Sequence, residues 1–303
     1  PGGKKLDKDT FRQIIEATRN LENVDNVESI ESLGNSENSN RQITIDLSET
    51  TADFNTIEGL NGNTYEGFCG GQTKDSGIKN ISELRLPKGI LQINNMAFSN
   101  SDYKKIVLPA TLTKIAGMPA SGCDGLIWEV AEGNKIFWTD KFGALYGKIE
   151  VTNKDNTKST FKTLIALNGG SGKTYRIQEG TEQIGAYSMY YNSVLTTLAL
   201  PQSIQKIGEN GLGMTPSLTT IIVYGMPIFN PSTGSNTVGK PKDEKTLYVE
   251  DEQQYNTYMQ RIKEYNEKYK IDLLNKNKWT IAKLNDYKGT IPAENPAKTS
   301  KSN

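Results

Sequence analysis

The stretch YKKIVLPATLTKIAGMPASGC, residues 103–123, decides the fold because a matching stretch, LTTLALPQSIQKIGENGLGMT, occupies residues 195–215. Both begin with an aromatic or leucine residue, have an apolar residue three positions later, and then reach a Leu-Pro pair. A third copy begins at Ile81 and ends its first part at Pro87, and Pro109 follows Pro87 by 22 residues. Recurrence at a fixed period of about 20–50 residues is typical of proteins built from stacked repeats.

Two further segments keep this period although they match fewer positions. One opens with Tyr175-x-Ile177, and its Ile184 lies 23 residues before Ile207 of the next copy. The other is LTTIIV, residues 218–223, which ends the series. The spacing falls in the range of about 20–29 residues that leucine-rich repeats use.

Each repeat has three parts with different physical roles. The first part alternates apolar and other residues near its end, as a half-buried strand does. Proline follows directly (Pro87, Pro109, Pro201) and ends the strand, because it cannot donate to a neighbouring strand. A second apolar pair comes next, and then a small residue followed in most copies by a bulky one such as Phe98. We expect this last part to form one tight helical turn that fills the core.

One repeat cannot bury its own apolar stripe, so neighbouring repeats must stack and share a core. We therefore predict an α/β repeat solenoid, a leucine-rich-repeat superhelix with a curved parallel sheet, short turns or helical turns between strands, and helical caps at both ends. The predicted domains are an N-terminal helical cap (1–42), a repeat solenoid (43–246) with a hairpin excursion (131–174), a C-terminal strand and helical cap (247–287) and a flexible tail (288–303).

Both ends carry features of caps. Residues 8–20 place apolar side chains, including Phe11 and Ile15, on one helical face. Residues 251–269 carry an aromatic stripe at steps of three and four, which is compatible with a ligand face. We expect it instead to pack against the solenoid, because terminal repeats need a cap. The stripe comprises Tyr255, Tyr258, Ile262, Tyr265 and Tyr269.

Three strings resemble the BspA-type leucine-rich repeats of bacterial surface proteins: LPATLTKIAGMPASGCDGLIWEVAEGN, GALYGK and YRIQEGTEQIGAYSMYYNSVLTTLALPQSIQKIGENGL. The resemblance covers roughly residues 80–225. It implies that Cys123 is the family's buried repeat cysteine and Phe98 its repeat phenylalanine, a position where Ala120, Met189 and Leu212 differ. It also implies an adhesin or interaction protein that binds host matrix proteins or partner bacteria.

The composition lowers the expectation of catalysis. The chain has 303 residues and no histidine, which removes the usual general base and the commonest zinc ligand. Carboxylates are numerous, but their spacing singles out no pair, and Asp155 with its asparagine neighbours forms no calcium-ligand series. We expect no catalytic residue, no metal and no cofactor.

Net charge and hydropathy argue against nucleic-acid binding and against a transmembrane span. Lys+Arg and Asp+Glu both number 35, so the net charge is zero, whereas a protein that binds phosphate backbones carries a positive excess. No apolar run approaches the roughly 18 residues of a membrane span. We predict that the chain binds no nucleic acid and has no transmembrane span.

The stretch LNGGSGKTY, residues 167–175, looks at first like a phosphate-binding loop. That motif needs glycine five positions before Gly172, where this chain has Leu167. A helix should follow the loop, with its N-terminus facing the phosphates. Residues 175–177 predict a strand instead. We therefore predict a turn, with Lys173 facing water, and no nucleotide ligand.

The cysteines and the first residues bear on the compartment. Cys69 and Cys123 fit either a disulfide or two buried thiols, and the sequence leaves both open. Residues 1–5, PGGKK, indicate a processed start from which a signal sequence has been removed. We expect an extracellular or cell-surface location.

The side chains that alternate outward from the strands are the candidate ligand contacts. They mix charge and apolar character without a dominant sign, which favours protein or glycan ligands on a host or neighbouring cell. A second candidate is the cluster of Tyr187, Tyr190 and Tyr191, which fits either packing at an exposed turn or a ligand contact. The outward residues are Glu83, Arg85, Lys105, Val107, Thr197, Ala199, Thr220 and Ile222.

Two functions remain. The first is an adhesion and interaction module, secreted or on the cell surface, without catalysis. The alternative is a carbohydrate-binding or carbohydrate-active envelope protein that uses the excursion at 131–174 as its site.

Overall fold

The computed structural model describes residues 5–19, 43–61, 64–153, 155–226, 245–270, 272, 274 and 279–296. The chain divides into two compact units, Pro1–Phe137 (unit 1) and Trp138–Asn303 (unit 2), which are described separately. Parts of the predicted N-terminal cap (1–4 and 20–42), solenoid (227–244) and tail (297–303) lie outside the described residues.

Unit 1 winds between two parallel sheets. One sheet has the strand order β1-β5-β7-β9 and the other β2-β6-β8, so the chain passes from one sheet to the other and back within each turn. All pairings within these two sheets are parallel. The elements are α1 (Lys8–Arg19), β1 (Ile43–Asp46), β2 (Thr56–Ile57), β3 (Leu60–Asn61), β4 (Thr64–Tyr65), β5 (Ile81–Arg85), β6 (Gln92–Ile93), β7 (Lys105–Leu108), β8 (Lys114–Ile115) and β9 (Ile127–Val130).

The core of unit 1 consists of equivalent side chains stacked from strand to strand. Leu84 pairs in register with Ile106, and Ile106 with Trp128, and all three are buried. Phe98, in the turn after β6, meets the rings of Tyr103 and Trp128 edge-on at 6.1 and 6.2 Å between ring centroids. The bulky residue of the repeat therefore fills the core.

Helix α1 packs its apolar face on unit 1. Phe11 and Ile15 are fully buried. The Phe11 ring stacks on Phe54 at 5.8 Å and meets Phe68 edge-on at 5.2 Å.

Unit 2 repeats the two-sheet arrangement. One sheet has the order β13-β15-β17-β18-β19 with parallel pairings, and the other has the order β10-β11-β12-β14-β16. The elements are β10 (Phe137–Thr139, which begins at the last residue of unit 1), β11 (Leu145–Thr152), β12 (Lys158–Ala166), β13 (Thr174–Arg176), β14 (Gln183–Ile184), β15 (Thr197–Leu200), β16 (Lys206–Ile207), β17 (Thr220–Val223), β18 (Lys245–Val249), α2 (Glu252–Tyr269) and β19 (Trp279–Lys283).

An antiparallel hairpin lies within the predicted excursion. Strands β11 and β12 pair over their whole length. The far end of β12 then pairs in parallel with β14, through Leu164 and Ile184. The hairpin is thus continuous with the second sheet of unit 2.

Helix α2 packs on the core of unit 2. The Asp251 side chain caps its first turn by accepting a hydrogen bond from the Gln254 backbone N–H at 2.8 Å. Tyr258 is buried in the core and Tyr255 packs partly against it. Ile262 of the predicted stripe is half-buried, and the side chains of Tyr265 and Tyr269 lie outside the described residues.

The described residues thus form parallel β-solenoid turns in both units, which confirms the predicted fold class. Strands one repeat apart pair in register, and the prolines that follow β5, β7 and β15 are buried at the strand ends.

Candidate interaction surfaces

The predicted ligand residues of unit 1 lie side by side on the outer face of its larger sheet. Glu83 of β5 pairs in register with Lys105 of β7, and Arg85 with Val107. The Lys105 Nζ lies 3.4 Å from Glu83 Oε2, and the Arg85 Nη2 lies 2.6 Å from Glu83 Oε1. Val107 is buried, while the three charged side chains are a fifth to a third exposed.

Two neighbouring strands extend this set of charges. Asp46 of β1 lies 3.7 Å from the Arg85 Nε, and Glu129 of β9 lies 3.3 Å from the Lys105 Nζ. Hydrogen bonds from Ser48, and more weakly the Arg85 charge, lower the pKa of the Asp46 carboxyl. We call the five residues Asp46, Glu83, Arg85, Lys105 and Glu129 the charged face.

The charged face offers a partner a fixed pattern of alternating charge. Acidic and basic side chains alternate across four hydrogen-bonded strands, so the strand register fixes their spacing. Ion pairs exposed to this degree contribute only about 0–1 kcal/mol each to stability. Their arrangement therefore bears more on recognition than on folding.

The predicted ligand residues of unit 2 occupy the corresponding face of its β13-β15-β17-β18-β19 sheet. Thr220 is half-buried, and the other three are much less accessible. Thr197 pairs in register with Thr220, and Ala199 with Ile222. Thr197 is only 7% exposed, and Ala199 and Ile222 are 0% exposed. A ligand can contact Thr197, Ala199 and Ile222 only if the part of the chain that covers these side chains moves away.

A returning segment crosses this face of unit 2. We call residues 284–296 the C-terminal strap. The Tyr287 ring lies 4.8 Å from the ring of Tyr248 in β18. At the far edge of the sheet, the strap's Asn295 donates to the backbone carbonyl of Arg176 in β13. Because β15 and β17 lie between these two points in the sheet, we infer that the strap crosses the face on which Ala199 and Ile222 lie.

Glu294 of the strap lies within electrostatic range of Tyr224, the residue that follows β17. Burial raises the pKa of Tyr224 and the Arg176 charge lowers it, while the Glu250, Glu179 and, least of all, Glu294 carboxylates raise it. The Arg176 guanidinium lies over the Tyr224 ring at 4.5 Å from its centroid.

Asn295 enters a buried polar cluster at the edge of the sheet. Its Nδ2 donates to Asp140 Oδ2 at 2.7 Å, and the Tyr175 hydroxyl donates to the same oxygen. The Tyr146 and Tyr175 hydroxyls are 2.5 Å apart. Burial, and then the Asp140 charge, raise the pKa of the Tyr146 phenol, against a lowering effect of the hydrogen bond with Tyr175. Burial, and then the neighbouring Tyr146 and Asp140, raise the pKa of the Tyr175 phenol.

The sequence reasoning missed this cluster. Residues 288–296 belong to the segment whose composition favours a flexible tail, yet Asn295 is only 1% exposed. One sequence feature does indicate a covered face. Leu198-Ala199-Leu200 and Ile221-Ile222-Val223 are continuous apolar runs, which are typical of strands buried on both sides.

The glycine-rich stretch is a turn between two strands. Residues Gly169–Ser171 form a short 3₁₀ helix, Gly172 has φ +98°, and β13 follows at once. The Lys173 carbonyl accepts hydrogen bonds from the backbone N–H groups of Thr196 and Thr197, and its side chain is exposed. The helix that a phosphate-binding loop requires does not follow.

The two cysteines are buried and form no disulfide. The Cys123 Sγ lies 3.1 Å from the Phe98 carbonyl. Burial raises the pKa of the Cys123 thiol to about 12.

The tyrosine cluster lies on a turn of unit 2. The rings of Tyr187 and Tyr190 meet edge-on at 5.3 Å, and those of Tyr190 and Tyr191 at 4.6 Å. Tyr187 and Tyr191 have φ near +60°, a conformation that the equivalent residues Asn210 and Met214 share. Tyr191 is 48% exposed and the Tyr187 hydroxyl donates to Glu209 at 3.2 Å.

No helix among the described residues has the length and apolar character needed to cross a membrane.

Comparison with known proteins identifies the repeats. Residues 76–127 and 158–229 match the BspA type leucine rich repeat region in six copies, which confirms the resemblance. No curated protein matches the chain.

Three solved structures are similar to the chain. A leucine-rich repeat protein from Eubacterium ventriosum ATCC 27560 is 20% identical, with a TM-score of 0.38 over 56% of this chain and 49% of that one. A leucine rich cell surface protein from Faecalibacterium prausnitzii A2-165 is 14% identical, with a TM-score of 0.38 over 67% and 59%. The pneumococcal vaccine antigen PcpA is 14% identical, with a TM-score of 0.27 over 80% and 88%. The chain thus spans about half of the length of the Eubacterium ventriosum protein and about three fifths of that of the Faecalibacterium prausnitzii protein.

Proposed function

We propose that this chain, whose repeats are of the BspA type, is a binding module of a bacterial cell surface that holds protein partners and catalyses no reaction. Stacked repeats offer a nearly rigid, extended surface that can contact a large ligand at many points. The family resemblance supports the surface location and a role in adhesion to host matrix proteins or to other bacteria.

The observation that carries this proposal is the charged face of unit 1. Its side chains are held in register by four paired strands and remain partly exposed. Charge patterns of mixed sign select partners of complementary pattern and disfavour others. The charged face therefore suits a protein surface better than a polyanion.

Binding of the full chain to immobilised matrix proteins and to whole cells of other bacteria tests the proposal. Lys105→Glu is expected to weaken such binding by about tenfold or more. It replaces a positive charge by a carboxylate next to Glu83 and Glu129, so that the charged face carries four carboxylates and one cation. Lys114→Glu is the matched control, since it makes the same charge change at an exposed position of β8 in the other sheet of unit 1. An equal loss of binding in both variants, or no loss of binding in either, would contradict a role for the charged face.

The tyrosine cluster favours a second candidate, glycan binding. The exposed Tyr191 ring offers a sugar an apolar face, and Glu209, which accepts a hydrogen bond from Tyr187 of the same cluster, offers an acceptor. A glycan array probed with the wild-type chain and with Tyr191→Ala tests it. Binding that disappears in Tyr191→Ala supports a glycan ligand, and an array without signal removes this candidate.

The excursion at 131–174 is a weaker basis for a carbohydrate site. Its half-buried carboxylate, Asp140, accepts hydrogen bonds from two backbone N–H groups, Tyr175 and Asn295, and is thus already engaged within unit 2.

A further inference from the structure

Unit 2 holds Asn295 by both its side chain and its backbone. The Nδ2 group donates to Asp140 Oδ2 at 2.7 Å and to the Arg176 carbonyl at 3.0 Å. The Glu179 backbone N–H donates to the Asn295 carbonyl at 2.8 Å. These groups, with the Tyr175 hydroxyl, form what we call the asparagine pocket.

The asparagine pocket selects an amide. The Asn295 Nδ2 meets three acceptors: Asp140 Oδ2, the Arg176 carbonyl and, at 3.3 Å, the Tyr175 hydroxyl oxygen. Aspartate in place of Asn295 would set a second carboxylate against Asp140. A small apolar residue would leave these acceptors without this donor, which is costly.

The pocket is formed by groups that do not depend on the strap. Asp140 Oδ1 accepts from the backbone N–H groups of Phe142 and Ala144 at 2.9 and 3.0 Å. The Tyr175 hydroxyl, which lies against that of Tyr146, donates to the other oxygen. A pocket whose acceptors are already fixed loses little entropy when it binds a ligand.

The strap contacts this face as a bound peptide does. Among residues 291–296, Pro292 and Asn295 are buried and the other four are exposed. Burial every third residue matches the three residues per turn of an extended polyproline helix. The tyrosines along the path, Tyr248 and Tyr224, resemble the aromatic lining of grooves that bind such segments.

We propose that the outer face of the β13-β15-β17-β18-β19 sheet of unit 2 is a groove for extended partner segments that carry Pro-x-x-Asn, and that the strap is its resident occupant. The idea rests on the proposed function, since it names a second class of protein contact for the same module. A tethered occupant has a high effective concentration, so a free segment competes poorly until the strap is weakened.

Fluorescence anisotropy with the labelled peptide YKGTIPAENP, the sequence of residues 287–296, tests the groove. The full chain with Asn295→Ala is expected to bind this peptide about tenfold or more tightly than the wild type, because the variant strap cannot fill the pocket. A matched peptide with aspartate in place of its asparagine is expected to bind the same variant about tenfold or more weakly.

Controls distinguish a loss of the groove from a loss of folding and from a failure of the proposed function. Circular dichroism checks that the variant is folded, and Pro292→Ala, which weakens the other anchor, carries the test if Asn295→Ala does not fold. Failure of the peptide to bind a folded strap variant, or equal binding of both peptides, would overturn the groove. Lys105→Glu, which tests the charged face, is expected to leave peptide binding unchanged.

Discussion

The Nδ2 of Asn295 lies 2.7 Å from the Oδ2 of Asp140, although 155 residues separate them in the sequence. This hydrogen bond holds one end of the strap at the edge of the sheet that begins with β13. In our proposal the strap so held covers strand faces that a partner would otherwise reach.

Replacement of Asn295 by alanine is expected to lower the free energy of unfolding by about 1–3 kcal/mol, because the half-buried acceptors at Asp140 and Arg176 lose the donor that the buried Asn295 supplies. Urea denaturation measures the change. Asn256→Ala, at an exposed position of α2, is the control and should have little effect. An equal effect of the two substitutions would show that the strap adds no stability.

The repeat itself could be predicted from the sequence, because its information is local and periodic. Pro87, Pro109 and Ile115 recur at matching positions, and each reflects a constraint within one turn of the chain. The strap could not be predicted in this way. It depends on one asparagine in a polar segment and on a carboxylate from a distant strand, and neither stands out in composition.

The outward residues of the strands also show what the sequence predicts and what it does not. In β5 apolar and charged residues alternate, and its outward Glu83 and Arg85 are partly exposed. In β17 the apolar run is continuous, and its outward Ile222 is buried. The apolar pattern of each strand thus predicts whether one or both of its faces are buried. It does not predict that the strap is the segment that covers the second face.

The buried tyrosines predict a dependence of stability on high pH. Tyrosines in the unfolded chain ionise above about pH 10, whereas burial raises the pKa of Tyr146 and Tyr175 in the folded state. The stabilisation is therefore complete below about pH 10 and is lost as the pH rises further, by up to about 1.4 kcal/mol per pH unit for each phenol.

Denaturation curves at pH 9 to 12 measure this slope. In Tyr175→Phe the slope is expected to be shallower than in the wild type, and the exposed Tyr191→Phe serves as the control. A slope that Tyr175→Phe leaves unchanged would mean that this phenol ionises alike in both states.

Thiol chemistry distinguishes the two buried cysteines from a disulfide. At pH 8 the native chain is expected to react with a thiol reagent very slowly, because Cys69 and Cys123 are buried and the pKa of the Cys123 thiol is about 12. The chain unfolded in denaturant without reductant should react at both. A reading of no thiol under that condition would demonstrate a disulfide.

Lys173→Ala tests the glycine-rich turn. Since a strand follows Gly172 and the Lys173 side chain is exposed, calorimetry is expected to give no heat of ATP or GTP binding for the wild type or the variant. Saturable binding that Lys173→Ala abolishes would reinstate a phosphate-binding loop.

The most direct test of the central claim is a charge exchange within the charged face. The double variant Glu83→Lys with Lys105→Glu keeps the net charge and the ion pair between these two positions. It reverses the pattern across β5 and β7 and sets like charges beside Arg85 and Glu129, at exposed pairs that contribute only about 0–1 kcal/mol each. We expect it to unfold at nearly the wild-type denaturant concentration and to lose about tenfold or more in affinity for whichever matrix protein or cell the wild type binds. Unchanged affinity in the folded double variant would contradict the claim that the charged face recognises the partner.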